Sequence, residues 1–177
     1  MTPRLPLLDD SQVGPPDLVA AIRARRGGAL LDLDRLLLHS PPFAAGWGEL
    51  MGRVRGALEL PPRLRELAMC GVAVITGAAF EVNAHAQLFE AEGGSAAQVD
   101  ALYRLGQGTA NDPVFDASQQ AVLALVVEMT QQVDVREATF TRAREVLGSD
   151  RRMFELVATI AAYNMVGRIL VALKLGQ

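Results

Sequence analysis

Apolar residues in this chain recur at helical rather than strand spacing, and proline and glycine break the pattern into segments. Pro15 and Pro16 precede a short amphipathic stretch through Leu18, Ala21, Ile22 and Arg25, stopped at Gly27 and Gly28. A second apolar segment surrounds Leu33, Leu36 and Leu37 and ends at Ser40, Pro41 and Pro42. Ser40 is placed to cap the next helix, whose apolar face carries Phe43, Trp47, Leu50, Met51 and Val54.

Pro61 and Pro62 introduce a run that is apolar from Leu64 to Ile75 except at Arg65 and Glu66. Near-total apolarity predicts a central, buried helix, with a buried strand as the alternative; its length, alanine content and proline-led start favour the helix. Gly77 marks a break, and a second helical pattern follows through Phe80, Ala84, Leu88 and Ala91 to Gly93 and Gly94. Ser95 and Gln98 have capping-box spacing ahead of Val99 and Leu102. The stretch from Gly106 to Pro113 reads as a loop. Ser118 is a candidate cap for a helix with Val122, Leu125, Val126 and Met129 on one side, and Asp134 for one containing Phe140, Ala143 and Leu147 and ending at Gly148.

The final pattern, from Asp150 to Leu175, is long and apolar but interrupted by Glu155, Asn164, Arg168 and Lys174. A membrane span is the competing reading, and a charge at Arg168 would be costly in a bilayer, so a core or interface helix is expected. The whole predicts an all-α fold. Residues 1–38 read as an N-terminal arm and helical extension, with the part before Gly14 mobile, and 39–177 as the main helical domain.

Composition agrees with a packed core: of 177 residues, 50% are hydrophobic, 21% charged and 5% aromatic. A formal net charge of -3 offers no global attraction to nucleic acid or anionic lipid. The short basic run Arg23, Arg25 and Arg26 reads as a solvated helix end favoured by the negative pole of the macrodipole, with an anion-binding edge as the alternative. The single cysteine, Cys70, cannot form a disulfide within the chain, and the N-terminus has no apolar stretch of signal-peptide type, so a cytoplasmic location is expected.

Candidate chemistry concentrates near Gly77. Glu81 and His85 are four apart and share a helical face, where the carboxylate can orient the imidazole and raise its pKa. Glu66 lies early in an apolar helix; if buried it needs a partner or a proton, and Arg63 or Arg65 can neutralise it. A turn at Gly77 would fold the Glu66 helix back along the His85 helix. Cys70, one turn after Glu66, is surrounded by apolar residues and reads as a buried small hydrophobe. His39 reads as a cap or a solvent-facing residue.

Glu66, Glu81 and His85 lack the HExxH arrangement, so no metal is expected, and no glycine-rich phosphate loop or dinucleotide fingerprint is present. On the last helix Tyr163, Asn164 and Arg168 can close a pocket or bond across an interface. Trp47 reads foremost as a packing anchor and otherwise as a pocket wall.

The segments Pro61-Pro62-Arg63-Leu64-Arg65-Glu66-Leu67, Thr76-Gly77-Ala78-Ala79-Phe80-Glu81-Val82-Asn83-Ala84-His85 and Glu92-Gly93-Gly94 resemble the carboxymuconolactone decarboxylase and alkylhydroperoxidase-like family, as do Phe154-Glu155-Leu156-Val157 and Tyr163-Asn164-Met165-Val166. The resemblance implies an all-helical fold, homotrimers or homohexamers, and active sites near subunit boundaries. In the family's peroxidase branch a glutamate, a CxxC pair and a histidine form the redox centre. The glutamate and histidine fall on Glu66 and His85, and the cysteine positions on Ala78 and Glu81.

Neither alanine nor glutamate replaces a thiol, so thiol peroxidase chemistry is disfavoured. The decarboxylase branch needs no cysteines. The expectation is a cofactor-free lyase acting on a small carboxylated lactone, with His85 as proton-transfer group and Glu81 and Glu66 as its partners. Arg63, Arg65, Trp47, Tyr163, Asn164 and Arg168 are the candidate substrate contacts. Another acid–base reaction, such as isomerisation or hydrolysis, and a noncatalytic oligomeric scaffold are the alternatives; no partner nucleic acid or membrane is expected.

Overall fold

The computed structural model describes residues 2–105 and 111–176. Among these residues there are nine α-helices and no strand, so the stretch after Pro62 is a helix, as its length and composition favour. The expected loop from Gly106 to Pro113 lies largely outside the described residues; from residue 111 its remainder is non-helical. The chain divides into two compact units, one running to Ala57 and taking in Leu173–Leu175, the other from Leu58 to Ala172 with Gly176.

The first unit contains α1 (Pro16–Arg26), α2 (Asp32–Leu37) and α3 (Pro41–Gly56). Packing of α3 on α1 and α2 carries this unit to Ala57, past the expected boundary at 38/39. Ser40 is the N-cap residue of α3, but its side chain makes no capping bond. The basic end of α1 differs from the solvated edge expected. Arg26 donates to both oxygens of Asp34, at 3.1 and 3.2 Å, and Arg23 pairs with Asp10 at 3.1 Å.

Asp34 is buried and also accepts from the Leu31 backbone N–H, so it caps α2 while compensating the arginine charge. The N-terminal segment is tied down rather than free. Arg35 donates to the Leu8 carbonyl and to Asp10, and the His39 ring meets the Pro6 carbonyl at 2.8 Å.

The second unit is built around α4 (Pro62–Thr76), which packs against α5 (Ala79–Ala91), α6 (Ala96–Leu102) and α7 (Ala117–Gln131). Leu67, Met69, Cys70 and Val72 of α4 are almost wholly buried. Gly71 allows α7 to approach closely, since a Cβ there would lie 3.1 Å from Val126. Gly77 takes a left-handed conformation with φ of 72°, ends α4 and lets α5 begin two residues later. That hairpin is the one expected from the sequence.

Short-range caps follow the sequence where the spacing is unambiguous. Ser95 and Gln98 form the expected capping box of α6. Asp116, rather than Ser118, caps α7, because Asp116 precedes Gln119 at capping-box spacing and the Ser118 hydroxyl instead donates to Asp116. Asp134 does not cap α8 (Glu137–Leu147). The buried Glu128 of α7 fills that place, bonding the Arg136 backbone and guanidinium and the Thr139 hydroxyl.

The last helix, α9 (Asp150–Leu173), is long and apolar enough to cross a membrane, but it buries Leu156, Ile160, Tyr163, Val166 and Leu170 in the protein. Its fixed points in the second unit are Glu155, which accepts from the Leu60 backbone N–H at 2.8 Å, and Gly167, which lies against Thr76. A Cβ on Gly167 would stand 2.5 Å from the Thr76 hydroxyl oxygen, which itself is held on the Val72 carbonyl. Gly167→Ala therefore destabilises the protein by about 1–3 kcal/mol through overpacking. Thermal unfolding checks this: a lowered Tm with unchanged helical circular dichroism is expected, and an unchanged Tm would show slack at the α4–α9 contact.

Candidate functional site

Glu66 sits one turn into α4, after Pro62 and two arginines, and faces inward because Leu67, Met69 and Cys70 bury the same helix. Glu81 and His85 occupy successive turns of α5 and are both buried. The αL turn at Gly77 lays α5 back along α4 and brings the three side chains together. His85 Nδ1 lies 2.6 Å from Glu66 Oε2, and Nε2 lies 3.2 Å from Glu81 Oε2.

A fourth group completes the site. The Tyr163 hydroxyl of α9 is 2.8 Å from His85 Nε2, with the two rings edge to face at a centroid distance of 4.9 Å. When Nε2 lacks a proton the tyrosine O–H donates to it; when Nε2 carries one, the tyrosine oxygen and Glu81 compete to accept it. The imidazole is thus held by Glu66 on one nitrogen and by Glu81 and Tyr163 on the other. Because the two carboxylates address opposite ring nitrogens, they do not converge with His85 on one metal position.

Burial alone would push His85 down, but the hydrogen bonds and charges of Glu66 and Glu81 outweigh it and hold His85 above its ordinary 6.5. For Glu66 burial pushes upward, and the bond and charge of His85, followed by Arg65, bring it net below 4.5. Cys70 behaves differently. Burial, followed by the nearby Glu66 charge, pushes its thiol up to about 12, so it stays protonated near neutral pH.

The remaining candidates separate. Arg65 Nε donates to Glu66 Oε1 at 3.3 Å and so belongs to the cluster. Arg63 turns instead toward Gln98, at 3.5 Å, beside the start of α7. Asn164 and Arg168 bond each other on α9, with Asn164 also donating to Thr130, and no bond to His85 or either glutamate connects them to the cluster. Trp47 is buried in the first unit, with its ring 6.0 Å from that of Phe43, as a packing anchor.

Tyr163 was visible in the sequence as a pocket residue but not as the partner of His85. A cavity of about 230 Å³ opens at the α4–α5 junction, lined by Val74, Gly77, Ala79, Val82, Asn83 and Tyr103 together with Ala73. Glu66, Glu81 and His85 are not among its walls. Asn83 and Tyr103 are its polar side chains.

Residues 41–123 match the carboxymuconolactone decarboxylase family. No curated protein matches the sequence. Among solved structures, an uncharacterized peroxidase-related protein from Silicibacter sp. TM1040 superposes with a TM-score of 0.76 at 19% identity, over 97% of this chain and 88% of that one. An uncharacterized peroxidase-related protein with an alkylhydroperoxidase AhpD core from Ralstonia eutropha JMP134 gives 0.72 at 16% identity, over 97% and 90%. A protein of unknown function from Agrobacterium tumefaciens gives 0.67 at 22%, over 78% and 92%. These likenesses establish the fold.

The two pKa displacements set a stability window. Glu66, lowered, contributes above its unfolded value of 4.5 and loses that contribution as pH falls through its folded value. His85, raised, contributes fully below 6.5 and loses its contribution as pH rises through its higher folded value. Glu66→Gln is therefore most destabilising, relative to the unmodified protein, between pH 4.5 and 6.5, and less so on either side. Unfolding of both proteins across pH 4 to 9 measures it, and a difference that does not vary with pH would refute the pairing. Residues 41–123 thus match the carboxymuconolactone decarboxylase family, the chain shares the fold of the peroxidase-related structures, and with Cys70 as its single cysteine it carries no CxxC pair.

Proposed function

We propose that this protein is a cofactor-free acid–base enzyme that decarboxylates a small carboxylated lactone, with His85 as the proton-transfer group. The observation that carries this reading is the grip on His85: Glu66 at 2.6 Å on Nδ1, and Tyr163 and Glu81 at 2.8 and 3.2 Å on Nε2. Such an imidazole holds its proton more strongly than a free histidine does, while remaining out of bulk water. That is the state a general acid needs.

In the reaction the bond between the ring carbon and its carboxylate breaks, carbon dioxide leaves, and the electron pair remains as a dienolate. The Nε2 proton of His85 passes to that carbon, directly or through the Tyr163 hydroxyl. Glu66 stays ionised and stabilises the imidazolium before the transfer, and solvent restores the proton afterwards. No external oxidant or reductant enters. The cavity at the α4–α5 junction, with aliphatic walls and the polar groups of Asn83 and Tyr103, has the size of a small lactone and adjoins the turn that carries Glu81. The reading includes a cytoplasmic homotrimer or homohexamer, in which subunit contacts complete the route to His85.

One observation favours the rival reading, a noncatalytic oligomeric scaffold. His85 is only 3% exposed, and its cluster does not line the junction cavity. A buried polar network serves packing specificity as well as chemistry. Carbon dioxide release from a panel of carboxylated lactones separates the two. The lyase reading expects turnover that falls about 10²-fold or more in His85→Gln and declines as pH rises through the His85 pKa. Absence of turnover across the panel favours the scaffold, and equal turnover in the variant removes His85 from the mechanism.

The resemblance of the fold to peroxidase-related proteins calls for a separate measurement. Peroxide consumption with an external dithiol is expected to be the same in the unmodified protein and in Cys70→Ser, because the thiol is buried and remains protonated. Loss of a measurable peroxidase activity in that variant would place Cys70 in a redox mechanism.

A further inference from the structure

The second unit carries another cavity, of about 500 Å³, formed where the C-terminal ends of α4 and α7 meet α9. Ile75, Val171 and Ala172 give it an aliphatic wall, and Thr76, Thr130, Gln131 and Arg168 supply its polar groups. Among the described residues no acidic side chain lines it. Arg168 makes no ion pair among the described residues, whereas Arg26, Arg65, Arg136 and Arg151 of the same chain all do.

The guanidinium is not left to wander. Arg168 Nη1 donates to the Asn164 side-chain oxygen at 2.6 Å and to the Asn164 carbonyl at 3.1 Å. Asn164 is itself buried, and its amide nitrogen donates to the Thr130 hydroxyl and to the Ile160 carbonyl, both at 3.0 Å. Since the Ile160 carbonyl can only accept, those bonds fix which end of the amide faces Arg168. The arginine is therefore preset by a buried support, with Nε and Nη2 left over as donors. Thr130, which accepts from Asn164, keeps its own hydroxyl proton to donate.

From this arrangement we infer that the α4–α7–α9 cavity is a binding site for a small organic carboxylate, separate from the His85 cluster. The planar fork of Arg168 matches the two oxygens of a carboxylate, the Thr130 hydroxyl adds a third donor, and the aliphatic wall takes the carbon skeleton. Inorganic anions would use the fork but leave the apolar wall uncovered. The opposing demand on Arg168 comes from the backbone. The carbonyl ends of α4 and α7 carry partial negative charge, which attracts a cation with no ligand present. The site and the simple helix-end role predict different outcomes.

Sodium benzoate and its uncharged counterpart benzamide, titrated into the full chain and followed by amide-resolved NMR, distinguish them. Benzoate is expected to shift the backbone signals of Thr76, Thr130, Gln131 and Gly167 saturably, and benzamide to bind about tenfold or more weakly. Arg168→Met weakens benzoate by a similar factor, and Arg168→Lys by less, because it keeps the charge and loses the fork. His85→Gln leaves the benzoate affinity at this cavity unchanged, so a failure of the lyase reading does not bear on it. The inference is overturned if benzoate shifts nothing there, if benzamide binds as well, or if Arg168→Met lowers Tm without altering benzoate affinity, as a helix-end role alone would give.

Discussion

A buried imidazole with an acidic group at each ring nitrogen cannot satisfy both neighbours while neutral. With one proton it serves either Glu66 or Glu81; with two it serves both and carries a charge into a site shielded from solvent. The 2.6 Å contact to Glu66 and the 3.2 Å contact to Glu81 tip that choice toward the charged form, against the cost of burial. The second unit is arranged around this demand. Gly77 turns the chain so that α5 lies along α4, Gly71 brings α7 close behind α4, and Gly167 seats α9 on Thr76, on the helix that delivers Tyr163 to Nε2.

The same logic explains where family chemistry diverges. In the peroxidase branch the positions of Ala78 and Glu81 belong to sulfur, and the histidine serves thiols. Here a carboxylate occupies one of those positions and pairs with the histidine itself. The remaining thiol, Cys70, lies behind this cluster and is held protonated by burial and by Glu66. The proposed lyase reading uses this arrangement as a proton donor to a carbanion-like centre.

Much of this was legible in the sequence wherever it depended on spacing along one helix. Glu81 and His85 share a face by their four-residue separation, Ser95 and Gln98 form a cap by their three, and Gly77 announces a turn by its place between two helical patterns. Glu66 required one further step, the hairpin, and that step followed from the same glycine. What the sequence could not carry were contacts set by packing across long separations. Tyr163 lies 78 residues from His85, and its own helix gave no sign of which face would meet α5. Nothing in the local sequence marks Asp34 and Glu128 as buried acids, because their compensating partners, Arg26 and the Arg136–Thr139 turn, come from the preceding and the following element. The Asp116 cap was missed for a smaller reason: Ser118, two residues on, has an equally suitable side chain.

The central claim is that His85 is held as a protonated imidazole by its carboxylate neighbours. Nitrogen-15 NMR of the histidine side chains, titrated against pH, reads this directly, with the exposed His39 as an internal comparison. The account predicts that the His85 midpoint lies above 6.5 and falls in Glu66→Gln. A midpoint at or below 6.5, or one that does not move when Glu66 loses its charge, would contradict it.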